Sequence, residues 1–204
     1  MEDYTTVTEL PGQRATREEL ERLYHRYKFA SKFCEDKDVL EVACGAGQGL
    51  GYLEKFANKV VGGDIDENNL RFAISHYEGR QNIEVKTLDA HQLPFEDKSF
   101  DVVILYEAIY YLPKPEEFLA ESHRVLREGG VLLIATVNKD LYDFNPSPHT
   151  YKYYGVAELN ELFARHGFET EFFGDTRVGI NIVALIRVIL NMPDILSIWW
   201  NRDD

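Results

Sequence analysis

A glycine-rich turn that directly follows a short apolar segment is the feature that most restricts the fold of this chain. Residues 39–43 are typical of a buried strand, and Gly45, Gly47 and Gly49 follow at alternate positions. Glycine lets the backbone come close to a ligand, and a helix that opens after such a turn presents unpaired N–H groups. The segment therefore predicts a strand, a turn and a helix with a ligand beside the turn.

Strand-like and helix-like segments alternate along the rest of the chain. Strands are predicted at residues 39–43, 60–63, 83–88, 101–106, 131–136 and 168–173. The predicted helices begin after a Thr16–Glu19 capping box, after the glycine turn (to about Asn58), at Asp66, at Pro115 (ending at Gly129 and Gly130) and near Val156 (ending at His166). This alternation predicts a Rossmann-like three-layer α/β sandwich, with helices on both faces of a mostly parallel sheet.

The length of 204 residues predicts one domain. Within it we expect an N-terminal cap helix in residues 1–35, a ligand-binding core in residues 36–175 and an apolar C-terminal segment in residues 176–204. Residues 180–190 fit a strand and a helix equally well, so it stays open whether a C-terminal hairpin completes the sheet. Arg187 and Pro193 interrupt this segment, so it is too short to cross a membrane. The alternatives for it are core packing, a dimer surface and weak contact with a membrane surface.

The composition narrows the class of partner. The formal net charge is −13, which disfavours nucleic acid as a partner. The two cysteines, Cys34 and Cys44, offer no disulfide framework and no metal-binding spacing, and the acidic N-terminus is unlike a signal peptide. We expect a cytoplasmic protein without a metal site.

Two acidic residues indicate the kind of ligand. Asp64 is expected to be an exposed acid at the end of the second predicted strand, 19 residues after Gly45. At this place an acid in nucleoside-binding folds accepts hydrogen bonds from both ribose hydroxyls. Glu41 stands just before the glycine turn, where its charge repels a pyrophosphate and suits an ammonium group. A nucleoside with a cationic substituent is favoured, and a nucleoside- or NAD-binding protein without transferase activity is the alternative.

The chain resembles the class I S-adenosylmethionine-dependent methyltransferases, in particular their small-molecule type 11 branch. Five ordered segments carry the resemblance: Val-Leu-Glu-Val-Ala-Cys-Gly-Ala-Gly from residue 39, residues 60–66, Asp-Ala-His-Gln-Leu-Pro-Phe from residue 89, residues 100–112, and Glu-Ser-His-Arg-Val-Leu-Arg-Glu-Gly-Gly from residue 121. Together they cover about residues 38–174. The resemblance implies methyl transfer from S-adenosylmethionine to a small-molecule or glycan acceptor.

The resemblance also implies roles for individual residues. Glu41, Gly45 and Gly47 would surround the methionine end of the cofactor, together with Ala43, which replaces the first glycine of the motif. Asp64 would bind the ribose, and Tyr106 would supply backbone contacts near the sulfonium. The adenine would pack on Ile65, with the Asp89 carboxylate accepting from its amino group and the Ala90 amide facing its ring.

The sequence does not single out a general base. Tyr110 and Tyr111 stand where the family often has a histidine pair, so a histidine mechanism does not transfer directly. His149, Tyr110, Glu107 and His91 are the candidates, and His149 lies in the longest predicted loop. In the first helix, Tyr24, Tyr27 and Phe29 are expected to pack, although this helix often closes over the cofactor in the family.

Overall fold

A computed structural model describes residues 12–142, 144–147 and 149–174, together with the backbone of residues 183–190. The helices are α1 (Arg17–Ser31), α2 (Leu50–Leu53), α3 (Glu67–Tyr77), α4 (Pro115–Val125) and α5 (Val156–Arg165). The strands are β1 (Asp38–Val42), β2 (Lys59–Asp64), β3 (Ile83–Thr87), β4 (Phe100–Tyr106), β5 (Leu126–Val137), β6 (Phe168–Gly174) and β7 (Val183–Leu190).

The described part of the chain forms one sheet of seven strands in the order β3-β2-β1-β4-β5-β7-β6. Strands β1 to β5 pair in parallel, whereas β7 is antiparallel to both β5 and β6. The predicted mostly parallel α/β sheet is therefore confirmed. The question left open by the sequence is also answered, because residues 183–190 form a strand and the C-terminal hairpin completes the sheet. The remainder of the predicted segment, residues 176–182 and 191–204, lies outside the described residues.

Both faces of the central strands are buried, as a three-layer arrangement requires. Along β4, Val103 and Leu105 face one hydrophobic cluster, while Val102 and Ile104 face the other. All four side chains are at most 1% exposed. The continuous apolar run of this strand follows from that double burial.

Helix boundaries agree with the sequence where a side chain caps the helix. Thr16 and Glu19 form the predicted capping box, and the Asp66 carboxylate accepts from the Asn68 N–H at 2.8 Å. The predicted long helix after the glycine turn was wrong, since α2 has only four residues.

The predicted end of α4 at Gly129 and Gly130 was also wrong. The helix ends at Val125, and β5 begins at the next residue. The two glycines lie inside β5, where its pairing with β4 shifts register. A Cβ on Gly130 would lie 2.8 Å from the Arg127 carbonyl oxygen, so this irregularity needs glycine.

Helix α1 packs beside the glycine turn through the Tyr27 ring, which lies against Gly49, and its Ala30 is fully buried. Cys34 follows the helix and is also fully buried, and its thiol contacts the Ala30 carbonyl oxygen at 3.1 Å. No helix in the described ranges is long and apolar enough to cross a membrane.

Candidate active site

A cavity of about 420 Å³ opens at the carboxyl ends of the parallel strands. This is the edge at which open α/β sheets bind ligands. Eight of the nine cofactor residues expected from the sequence line it: Glu41, Ala43, Gly45, Asp64, Ile65, Asp89, Ala90 and Tyr106. Tyr110, Glu107 and His91 also line it, whereas Gly47 and His149 are not among the lining residues.

The glycine turn is shaped by backbone conformations that side chains rarely adopt. Ala43 has a φ of 57°, close to the 56° of Gly45, so an alanine occupies a left-handed position where the family has glycine. Gly47 packs against α3, because a Cβ there would lie 2.7 Å from the Cβ of Ala73. The absence of a side chain at Gly47 therefore serves packing in this structure. The neighbouring Cys44 is buried.

Asp64 is the centre of a small hydrogen-bonded network. Its Oδ2 accepts from the Gly45 N–H at 2.8 Å, and its Oδ1 accepts from the Asp66 N–H at 2.9 Å. Burial raises the pKa of Asp64, although the backbone donors at Asp66 and Gly45 oppose that effect. The sequence-based expectation of an exposed strand-end acid was wrong, since Asp64 is only 8% exposed.

Glu41 is more deeply buried, at 2% exposure. Its Oε1 accepts a hydrogen bond of 2.5 Å from the Tyr27 hydroxyl, while its Oε2 has no hydrogen-bond partner among the described residues. Burial raises the pKa of Glu41 to about 7, against the opposing effects of the Tyr27 hydroxyl and the Arg26 charge. A buried acceptor without a donor is costly, and a cationic ligand would relieve that cost.

Helix α1 forms one wall of the cavity through Leu23, Arg26 and Tyr27. Arg26 Nη1 lies 3.1 Å from Glu107 Oε1, and the Tyr106 hydroxyl donates to the Arg26 carbonyl at 3.1 Å. From the sequence, Tyr27 is expected to pack, and neither Leu23 nor Arg26 is assigned a role at the site. Their spacing at i, i+3 and i+4 is the signal that places them on one helix face.

The loop after β3 adds Asp89, Ala90 and His91. Asp89 Oδ1 accepts from the His91 N–H at 2.9 Å and lies 2.6 Å from His91 Nδ1. Burial raises the pKa of Asp89, but these two hydrogen bonds outweigh it, so the pKa lies below its ordinary value. Ile65, 49% exposed, presents an apolar surface nearby.

The loop after β4 and the long loop after β5 line the cavity with aromatic residues. We call Tyr110, Tyr111, Leu112, Pro113 and Tyr151 the aromatic wall. The Tyr110 hydroxyl donates to Glu107 Oε2 at 3.1 Å, and the Tyr110 carbonyl accepts from the Tyr151 N–H at 2.9 Å. Glu107 itself has a φ of 50°, a strained value for a non-glycine residue at the end of a strand.

His149 is exposed in the long loop, with a φ of 68°. It stays an untested prediction as a catalytic residue, and it lies outside the cavity lining.

Comparison with known proteins agrees with this geometry. A family model described as a methyltransferase domain, of type 11, matches residues 40–134. A probable S-adenosylmethionine-dependent methyltransferase of Mycolicibacterium smegmatis is 34% identical over 155 residues, which are 74% of this chain and 56% of the relative. A fatty-acid O-methyltransferase of the same organism is 38% identical over 114 residues, 55% of this chain and 41% of that protein.

A solved structure supports the fold independently. An S-adenosylmethionine-dependent methyltransferase from Aquifex aeolicus superposes with a TM-score of 0.68, covering 83% of this chain and 89% of that one at 24% identity. The described residues thus have the fold of the class I methyltransferases. The predicted resemblance to the S-adenosylmethionine-dependent methyltransferases of type 11 is confirmed, over residues 40–134 by the family model and over 155 residues by a relative whose name carries that cosubstrate. The chain spans about half the length of the first curated relatives that it matches.

Proposed function

We propose that this chain transfers a methyl group from S-adenosylmethionine to an uncharged, hydroxyl-bearing small molecule or glycan. The observation that carries the proposal is the pair of buried carboxylates beside the glycine turn. Asp64 would accept from the ribose hydroxyls, and Glu41, whose Oε2 has no hydrogen-bond partner among the described residues, would face the methionine end. Asp89 and Ala90 would face the adenine.

The same carboxylates argue against a dinucleotide. A pyrophosphate beside Gly45 would lie close to Asp64 and to the buried Glu41, and like charges at short range in a poorly hydrated site are unfavourable. NAD binding without transferase activity therefore stays the less favoured alternative.

The aromatic wall on the other side of the cavity indicates the class of acceptor. In the sheet order, β4 lies across β1 from β2 and β3, so the aromatic wall lies opposite the adenine residues. Arg26 is the only lysine or arginine among the described lining residues, and it is already paired with Glu107. A carboxylate acceptor such as a fatty acid would find no free cation here, which favours a neutral hydroxyl on an apolar or sugar-like body.

Glu107 is our candidate for the proton acceptor. Bound S-adenosylmethionine supplies the electrophilic methyl carbon. The acceptor hydroxyl oxygen forms the new bond to that carbon while the carbon–sulfur bond breaks and its electron pair stays on sulfur. Glu107 takes the hydroxyl proton, and the Tyr110 hydroxyl, 3.1 Å from Glu107 Oε2, fixes the carboxylate. Alignment of the two reactants in the cavity supplies much of the acceleration.

Ligand binding tests the proposal at its first step. S-adenosylhomocysteine should raise the melting temperature of the protein, and NAD at the same concentration should not. Transfer of radiolabel from the methyl group of S-adenosylmethionine to a neutral lipid or glycan pool, but not to fatty acids, would support the acceptor class. Equal stabilisation by NAD would overturn the assignment.

Homodimer formation and membrane-surface contact are open alternatives for residues 176–204, most of which lie outside the described residues. We retain both, together with a cytoplasmic location, as proposals. Truncation after residue 194 would test them by its effect on oligomer size and liposome binding.

A further inference from the structure

The loop that carries Asp89 and Ala90 is anchored by a pair of residues on α4 that the proposed methyl transfer does not use. Arg124 Nη2 donates to the Leu93 carbonyl at 2.9 Å, and its Nη1 donates to the Phe95 carbonyl at 2.7 Å. The Leu93 N–H in turn donates to Glu121 Oε2 at 2.8 Å. Both polar backbone groups of Leu93 are therefore held by a single turn of α4.

The anchor itself is rigid, and we call it the Glu121–Arg124 clamp. Arg124 donates to Glu121 through Nε at 2.8 Å and through Nη2 at 2.7 Å, a two-point contact that fixes the plane of the guanidinium. Nη1, which donates to the Phe95 carbonyl, also donates to Asp97 Oδ1 at 2.9 Å. These carboxylates raise the pKa of Arg124, Glu121 first among them, so the clamp stays charged.

The other end of the loop is held by β2. The Leu88 N–H donates to the Asp64 carbonyl at 3.1 Å, and the Gln92 N–H donates to the Asp89 carbonyl at 3.1 Å to close the turn. Asp89 and Ala90 thus lie between two anchors. None of the hydrogen bonds among the described residues uses the Ala90 N–H, although Ala90 lines the cavity.

We propose that Glu121 and Arg124 are positioning residues for recognition of the adenine base. By holding Leu93 and Phe95, they keep the Asp89 carboxylate and the Ala90 N–H at a fixed spacing along the base edge. This inference rests on the proposed binding of S-adenosylmethionine.

The chemistry of the base makes that spacing selective. Adenine offers an amino donor beside a ring-nitrogen acceptor, which complements a carboxylate acceptor beside an N–H donor. Hypoxanthine reverses both groups, with a carbonyl oxygen and a ring N–H, so each contact would become repulsive. A loosely held loop could turn to accommodate either base, whereas a clamped loop cannot.

The experiment compares S-adenosylhomocysteine with S-inosylhomocysteine by calorimetric titration. Arg124→Lys removes the two-point contact, and Glu121→Gln is a milder second variant that keeps the side-chain volume. Arg127→Lys is the matched control, because Arg127 also bridges two carboxylates, Asp38 at 2.9 Å and Asp101 at 2.6 Å, away from the cavity. Melting temperatures are recorded for all variants.

The parent protein should prefer S-adenosylhomocysteine by at least about tenfold, which corresponds to the loss of one or two hydrogen bonds. The two clamp variants should reduce that preference by about threefold or more. Arg127→Lys should leave the preference unchanged, although it lowers the melting temperature about as much as the clamp variants do. A preference that survives in both clamp variants would overturn the positioning role. Failure of the parent to bind S-adenosylhomocysteine at all would instead overturn the proposed function on which this role rests.

Discussion

The Tyr27 hydroxyl donates a 2.5 Å hydrogen bond to Oε1 of Glu41, and so joins the N-terminal helix to the strand that precedes the glycine turn. The Tyr27 ring occupies the space beside Gly49, where a Cβ would lie 1.8 Å from the ring. Both ends of the interaction are buried. The helix therefore controls the environment of the carboxylate that we assign to the methionine end of the ligand.

The first prediction concerns the pH dependence of stability. The pKa of Glu41 is raised from 4.5 to about 7 in the folded protein, mainly by burial. Below pH 4.5 both states hold the proton, and between these values only the folded state does, so the stability contributed by Glu41 is lost as pH rises through about 7. Urea unfolding at a series of pH values measures this effect in the ligand-free parent and in Glu41→Gln. The free energy of unfolding of the parent should decline by about 3 kcal/mol, and that of Glu41→Gln should not.

Tyr27→Phe provides the companion variant. The Tyr27 hydrogen bond favours the ionised form of Glu41, so its removal should move the loss of stability to higher pH. If the parent and Glu41→Gln differ by a constant amount across the whole pH range, the pKa of Glu41 is the same in the folded and unfolded states and its assigned environment is wrong.

The second prediction concerns Asp64. Asp64→Ala should weaken binding of S-adenosylhomocysteine at least about tenfold, because it removes the proposed ribose acceptor. It should also lower the free energy of unfolding by about 1–3 kcal/mol, since the Gly45 and Asp66 N–H groups lose their acceptor. Calorimetry and urea unfolding measure the two effects.

Asp66→Ala is the control for that experiment. It removes the N-cap of α3 and should cost about 1 kcal/mol of stability while leaving ligand affinity nearly unchanged. Equal losses of affinity in the two variants would show that Asp64→Ala acts by disturbing the loop after β2 and not by removing a ribose acceptor.

The third prediction concerns the alanine in the glycine turn. Ala43 is held at a φ of 57°, and a left-handed conformation costs an L-residue about 1–2 kcal/mol. Ala43→Gly should therefore raise the stability by about 1 kcal/mol and the melting temperature by about 2–4 °C. Ala46→Gly, in the same turn but without a positive φ, should lower the stability instead. A destabilised Ala43→Gly protein would show that the methyl group contributes packing that outweighs the strain.

The fourth prediction concerns catalysis. Glu107→Gln should lower kcat for a hydroxyl acceptor by about 10²–10⁴-fold, the usual contribution of a general base. Affinity for S-adenosylhomocysteine should change little, because Glu107 lies on the acceptor side. Tyr110→Phe should have a smaller effect, since it removes only the hydrogen bond that fixes Glu107. An unchanged kcat in Glu107→Gln would exclude Glu107 as the base.

The sequence was informative wherever a short segment determines the local structure. The strand and turn around Gly45 and the acid at Asp64 could be located because their spacing reflects one continuous βαβ unit. The resemblance anticipated a cap helix, but not that Leu23, Arg26 and Tyr27 would face the cavity, because this depends on how α1 docks onto a strand fourteen or more residues away. Gly49 is a sequence feature that reflects this docking, because a side chain at this position would clash with the Tyr27 ring.

The ends of α2 and α4 show the same limit. No capping residue marks either end, and the bulge in β5 decides where Gly129 and Gly130 are needed. The C-terminal hairpin was equally hard to predict, since its residues satisfy both helix and strand patterns until β5 supplies a partner.

The burial of both cysteines gives this protein two internal reporters of opening. Burial raises the pKa of the Cys34 thiol to about 12 and that of Cys44 well above its ordinary value, so neither is a reactive thiolate in the closed protein. An alkylating reagent can therefore react with either thiol only after local or global unfolding exposes it. Labelling at Cys34 would time the departure of α1 from the sheet, and labelling at Cys44 would time the loosening of the glycine turn.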